Sequence, residues 1–178
     1  KELFSPTHAC DDALDAVREL LDAPSTRDVV IVASWLNFAT ELKDASARRS
    51  MATFIRSFST RKKVFIVLNI PTGNELAPTS MFVGSRTGQI QLKPLESVRF
   101  DRKAFDLRMQ PVRTALVQIA SDGGAALIDP VEQLCGPNFC PVFSANGTPL
   151  YLDGGHLTRT YSKQAAQYID PTLEPTAT

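Results

Sequence analysis

Apolar residues along this chain alternate between helical spacing and short continuous runs. Over residues 11–22, Leu14, Val17, Leu20 and Leu21 recur at helical spacing, with Asp11 or Asp12 as N-cap and Pro24 as the stop. Asp28-Val29-Val30-Ile31-Val32-Ala33 follows, a β-branched run of the kind found in strands covered on both faces. Residues 40–59 return to helical spacing, with Met51, Phe54, Ile55 and Phe58 on one stripe and Arg48, Arg49 and Arg56 outside it. Lys62 and Lys63 lead into a second buried strand, Val64–Leu68, ended by Pro71. Residues 72–100 hold no period and are punctuated by Gly73, Pro78, Gly84, Gly88 and Pro94. They predict a long excursion with a short hairpin, Met81–Val83 against Ile90–Leu92, either beside an active site or as a plain surface loop. A helix near 103–120 comes next, with Val112, Leu116 and Ile119 inward, Pro111 near its start or at a kink, and Gly123-Gly124 at its end. Ala125–Pro130 reads as a third strand and 159–169 as the last helix; residues 171–178 are expected to form a loose tail.

Strand, helix, strand, helix, strand, helix predicts an α/β protein, a three-layer α/β/α sandwich around a parallel sheet. Three strands are few for such a sheet. Either it is unusually small, or strands are missing on the N-terminal side. Lys1-Glu2-Leu3-Phe4-Ser5-Pro6 includes no initiator Met and reads like a cut inside a longer protein.

The 178 residues suffice for one domain with a buried core. Lys+Arg and Asp+Glu both total 19. Zero formal charge argues against nucleic acid or acidic membrane as a partner bound by bulk charge. Three cysteines are too few for a disulfide scaffold, and two histidines exclude a His-rich metal site. No apolar run approaches the roughly 18 residues of a membrane span, and no signal peptide opens the chain.

The most informative segment is Pro149-Leu150-Tyr151-Leu152-Asp153-Gly154-Gly155-His156-Leu157-Thr158. It places an acid three residues before a His in a Gly-containing loop, ahead of a helix that Thr158 caps. Asp153 is close enough to accept a hydrogen bond from one imidazole nitrogen of His156. That orients the ring and leaves the other nitrogen as a general base. The plain alternative is an exposed loop His with an Asp nearby by chance. Cys135-Gly136-Pro137-Asn138-Phe139-Cys140 reads as a disulfide closing a tight loop in an oxidising compartment, or as two free buried thiols. As a metal half-site it lacks a second half. Cys10 is left over. Asn146-Gly147-Thr148 fits a glycosylation acceptor or simply a turn.

Tyr151 through Thr158 resembles the last block of the SGNH (GDSL-like) hydrolases, Asp-x-x-His-Leu-Ser/Thr. A narrower resemblance is to the periplasmic SGNH domain fused to membrane-bound acyltransferases that O-acetylate bacterial surface polysaccharides. There a strand ending in Asp-Pro leads to a Cys pair and then to Leu-Tyr-x-Asp-x-x-His-Leu. Leu127-Ile128-Asp129-Pro130, Cys135, Cys140 and Leu150–Leu157 follow that order here, and Val29–Trp35 resembles the family's third strand. The resemblance implies an SGNH-hydrolase (flavodoxin-like) fold lacking its first strands, with 1–170 as the C-terminal portion of one such domain. It implies Asp153 and His156 as catalytic residues and a plausible upstream Cys partner for Cys10. It implies a periplasmic domain of a bacterial inner-membrane protein.

Two departures accompany it. The family's Gly-Asp-Ser nucleophile motif is absent from this sequence, and Gly84-Ser85 lies in the irregular stretch rather than in a strand-to-helix turn. The oxyanion block Gly-x-Asn-Asp is absent too, and Ser34-Trp35-Leu36-Asn37 stands in its place. Asn37 is a candidate oxyanion donor, one position off the usual spacing, and Trp35 a candidate lining residue of an acyl or sugar pocket. The implied reaction is acetyl transfer from a donor delivered by the membrane-embedded acyltransferase part of the parent to a glycan hydroxyl. It needs no cofactor and no metal. Two rivals remain: a carbohydrate esterase using the same residues, and a non-catalytic glycan-binding module. An unpaired edge beside Val29–Ala33 adds the expectation of a homodimer through that edge.

Overall fold

The computed structural model describes residues 8–84, 88–94 and 98–173. Helix α1 (His8–Asp22) starts ahead of Asp11 and Asp12, which stand within the helix rather than capping it. Acidic residues are favoured in a first turn as well as at an N-cap, so composition does not separate the two. Strand β1 (Asp28–Val32) is followed by 3₁₀ turns at Trp35–Phe38 and Glu41–Lys43 and by α2 (Ala45–Ser59). The helix expected from residue 40 is divided because the Asp44 carboxylate accepts the Ser46 N–H at 2.8 Å and resets the N-cap. After β2 (Lys63–Val67), the irregular stretch holds the predicted hairpin as β3 (Phe82–Val83) against β4 (Gln91–Leu92). Then come β5 (Phe100–Asp101), α3 (Arg102–Gly123), β6 (Ala126–Ile128), the single turn α4 (Val131–Leu134), β7 (Phe139–Cys140) and α5 (Arg159–Ala165). A 3₁₀ helix, Ala166–Thr172, continues from α5 and buries Thr172, so the expected loose tail does not begin at 171; residues 174–178 lie outside the described part.

The described residues divide into two compact units. The first includes the chain up to Leu68 and Met109–Ile128. Its parallel sheet has the order β1-β2-β6, with Val30 beside Phe65 and Phe65 beside Ala126. Both crossovers step the same way across the sheet, so right-handedness puts α2 and the end of α3 on one face. Ser59 Oγ accordingly donates to the Gly123 carbonyl at 2.7 Å, and Arg56 Nε to the Asp122 carbonyl at 2.8 Å. Gly124, at φ 75°, ends α3 in a conformation that favours glycine. Met51, Ile55, Ile66, Val112, Leu116 and Ile119 fill this core. The expectation that β1 is covered on both faces fails: Val30 and Val32 are 42% and 67% exposed. They share one face of an edge strand, and the two crossover helices serve a single face of the sheet.

The second unit comprises Asn69–Arg108 and Asp129–Pro171. Its core includes Leu76, Met81, Phe105, Val131, Leu134 and Tyr151. Strands β5 and β7 pair antiparallel, with Phe100 opposite Cys140. Asn146-Gly147-Thr148 forms a turn in which Gly147, at φ 80°, donates to the Ser144 carbonyl at 2.9 Å.

Candidate functional site

Residues 150–158 form a loop tied at its base. Leu150 N–H donates to Val142 O at 2.9 Å, Thr158 N–H to Leu150 O at 2.8 Å, and Leu152 N–H to His156 O at 2.8 Å. Tyr151 is 1% exposed and anchors one side in the core. Burial and the neighbouring Tyr161 push its phenol pKa up, and its hydroxyl makes no hydrogen bond. On the other side Thr158 caps α5, its hydroxyl accepting the Tyr161 N–H at 3.3 Å. Between these anchors the side chains of Leu152, Asp153 and His156 are exposed.

At the tip of the loop the Asp153 carboxylate is fully engaged. Its Oδ1 accepts N–H groups of Gly155 at 2.7 Å and His156 at 2.9 Å. The His156 ring presents Nδ1 to both carboxylate oxygens, at 3.0 Å from Oδ1 and 2.9 Å from Oδ2. The Gly155 N–H, and after it the His156 ring, hold the Asp153 carboxyl below the usual carboxylate range. An ionised Asp153 fixes the proton on Nδ1, which leaves the Nε2 lone pair of a neutral ring to take a proton. The His156 side chain is 78% exposed, so Nε2 is accessible.

A strap passes behind the tip. Gly73 N–H donates to Gly154 O at 2.8 Å, and a Cβ on Gly154 would stand 2.9 Å from Gly73 O. The Arg108 guanidinium donates to the Thr72 carbonyl and lies 5.4 Å over the Phe105 ring. Sequence reasoning passed over Thr72, Gly73 and Arg108. In the sequence Gly73 reads only as punctuation, and its close backbone approach to Gly154 is visible only in the structure.

Cys135 and Cys140 form the disulfide, with Cα atoms 4.1 Å apart. The turn between them is closed by Gly136 N–H to Phe139 O at 2.9 Å. Arg102 holds it through the Gly136 carbonyl at 3.1 Å and an ion pair to Glu132. Trp35 is not available to line a pocket: it is 2% exposed, and its indole N–H donates to Val67 O at 2.7 Å, which makes it a core residue of the first unit. Ser34 and Asn37 are exposed on that unit, and among the described residues their side chains have no hydrogen-bond partner. The structure thus brings together Asp153 with His156 and Cys135 with Cys140. Ser85 and the Cys10 side chain lie outside the described residues. No cluster of three or more His, Cys, Asp or Glu suited to a metal occurs among the described residues.

A parallel α/β sheet and an Asp-x-x-His-Leu loop are the two features that carry the resemblance to SGNH proteins. The family model for the SGNH domain (fused to AT3 domains) matches residues 2–171, and the chain belongs to that family. It is therefore an SGNH domain of the acyltransferase-associated kind. No curated protein and no solved structure matches the chain. No helix among the described residues is long and apolar enough to cross a membrane.

Proposed function

We propose that this domain serves acetyl transfer to a hydroxyl of a bacterial cell-surface polysaccharide, on the periplasmic side of the inner membrane. The observation that carries the reading is the Asp153–His156 pair, with Nδ1 2.9 Å from Oδ2 and Nε2 open to solvent. In this reading a serine supplied by a Gly-Asp-Ser turn, which these residues do not include, attacks the acyl donor. His156 Nε2 takes the serine proton and returns it to the leaving group. In the second half-reaction it takes the proton of the acceptor hydroxyl as that oxygen attacks the acyl-serine, and returns it to the serine oxygen as the acyl–serine bond breaks. Asp153 holds the ring and stabilises the imidazolium. The disulfide supports an oxidising compartment.

The test uses the chain and the full-length gene product that carries it. Each is assayed on 4-nitrophenyl acetate with and without His156→Ala, and with and without oligosaccharide acceptors. The reading expects no turnover by the chain alone, turnover by the full-length protein that His156→Ala abolishes, and acetylated oligosaccharide as product. Release of acetate with no acetylated sugar would replace transfer by hydrolysis. A full-length protein indifferent to His156→Ala would remove the pair from catalysis altogether.

A further inference from the structure

We propose that the first unit carries a second binding site, unrelated to the His156 loop, for a phosphate-ester group. Its seat is an open cavity of about 560 Å³ where β1 and β2 begin, and it lies wholly within that unit. Arg27, Arg61, Lys62 and Lys63 line it together with the hydroxyl residues Thr26 and Thr60. The carboxylates on its wall are Asp22 and Asp28, so four cations face two anions. This concentration is local, in a chain of zero formal net charge.

Cations often gather at helix C-termini simply to meet the free carbonyls there. Beside α1 that role falls to Lys62. Lys62 Nζ donates to Ala23 O at 2.9 Å and to Thr26 O at 2.7 Å, closing the end of α1. Among the described residues the Arg27 guanidinium has no hydrogen-bond or ion-pair partner. Among the described residues the Arg61 guanidinium pairs with Asp22 alone, at 3.1 Å, and those side chains are 55% and 69% exposed. Such an exposed pair is worth little and exchanges readily for a better acceptor. Lys63 opens β2 in register with Asp28 at the start of β1, which places its cation at the same end of the strands. Two guanidinium forks beside hydroxyl groups suit the oxygens of a phosphate ester, where bidentate charge-assisted bonds are strongest. The ligand is either a soluble phosphorylated compound or an anionic phospholipid headgroup.

The experiment reads binding by the intact chain and needs no activity. Inorganic phosphate is titrated by calorimetry and by amide NMR shifts at constant ionic strength, against chloride. Vesicles of phosphatidylcholine alone, and with about one-third phosphatidylglycerol, are tested by co-sedimentation. Arg27→Ala, at an exposed position, and Arg61→Ala are compared with Arg49→Ala. The last removes the same charge from the exposed side of α2. Saturable phosphate binding with shifts at residues 26–28 and 60–63 is expected, weakened about ten- to hundredfold by Arg27→Ala and unchanged by Arg49→Ala. Binding to phosphatidylglycerol vesicles that phosphate competes away assigns the headgroup. Phosphate binding without vesicle binding assigns a soluble ester. No saturable binding of either probe, or equal loss in Arg49→Ala, would overturn the site.

Discussion

Replacing Gly154 by Ala tests the packing that fixes the His156 loop. Neither Gly154 nor Gly155 has a positive φ, so the substitution meets no backbone strain and only space decides. At Gly154 the new Cβ would sit 2.9 Å from Gly73 O and 3.3 Å from Gly73 C. These are backbone atoms, and no rotamer change clears them. Ordinary contact requires the loop and the strap to part by about half an ångström. Overpacking of this kind costs about 1–3 kcal/mol. Loss of the Gly73 N–H bond to Gly154 O adds about 0.5–1.5 kcal/mol. The expected destabilisation is about 2–4 kcal/mol. In a chain of this size that lowers Tm by roughly 4–16 °C. At Gly155 the same Cβ meets only Thr72 Cγ2 at 3.7 Å and Asp153 Oδ1 at 3.9 Å, so Gly155→Ala is expected to cost less than about 1 kcal/mol. Urea unfolding followed by circular dichroism measures both, and the His156 ring resonances report whether the pair moves. Equal stability of the two variants, or a larger loss for Gly155→Ala, would refute the close-approach argument.

Three further outcomes are expected. Replacing Cys135 and Cys140 together by Ser removes a cross-link between residues five apart and should cost about 2 kcal/mol, read as a lower urea midpoint than the oxidised protein; an unchanged midpoint would count against the bond as a stabiliser. Trp35→Phe leaves the Val67 carbonyl without its buried donor and opens a small void, for a loss of about 2–4 kcal/mol, and a loss under about 0.5 kcal/mol would show that the indole is not a core member. Asp153 has a lowered pKa in the folded protein, so its contribution is complete above the ordinary value of 3.8 and fades as pH falls through the lower folded value. A carbon-detected NMR titration should place its midpoint below 3.8, and a midpoint above that value would contradict the bonds from Gly155 and His156.

The elements of the first unit were legible because each had one dominant period. The β-branched run at 28–33 and the stripe Met51, Ile55, Phe58 admit only one local structure each. What periodicity misses is environment. It read β1 as doubly covered, because a continuous apolar run looks the same in an edge strand served by helices on a single face. It offered Trp35 to a pocket, because a lone aromatic has no pattern, and only the Val67 carbonyl shows where it belongs. In the second unit the pairing of Asp153 with His156 was legible because it is local, three residues apart. The strap of Thr72, Gly73 and Arg108 was not, because those residues reach the loop from distant parts of the chain and share no spacing with it.

The locality of that pair bears on how the chemistry withstands disorder. A hydrogen bond between residues three apart closes a very short circuit of backbone, and its two N–H supports come from the same few residues. Little chain entropy is at stake in keeping it shut. Once opened, it re-forms on the timescale of a turn rather than of a fold. The hydrogen bonds between acid and base in the proposed reaction are thus supplied within one short segment. What must be delivered with accuracy is the partner hydroxyl, so variation in rate among variants of this domain should track the placement of that hydroxyl far more than the state of the imidazole.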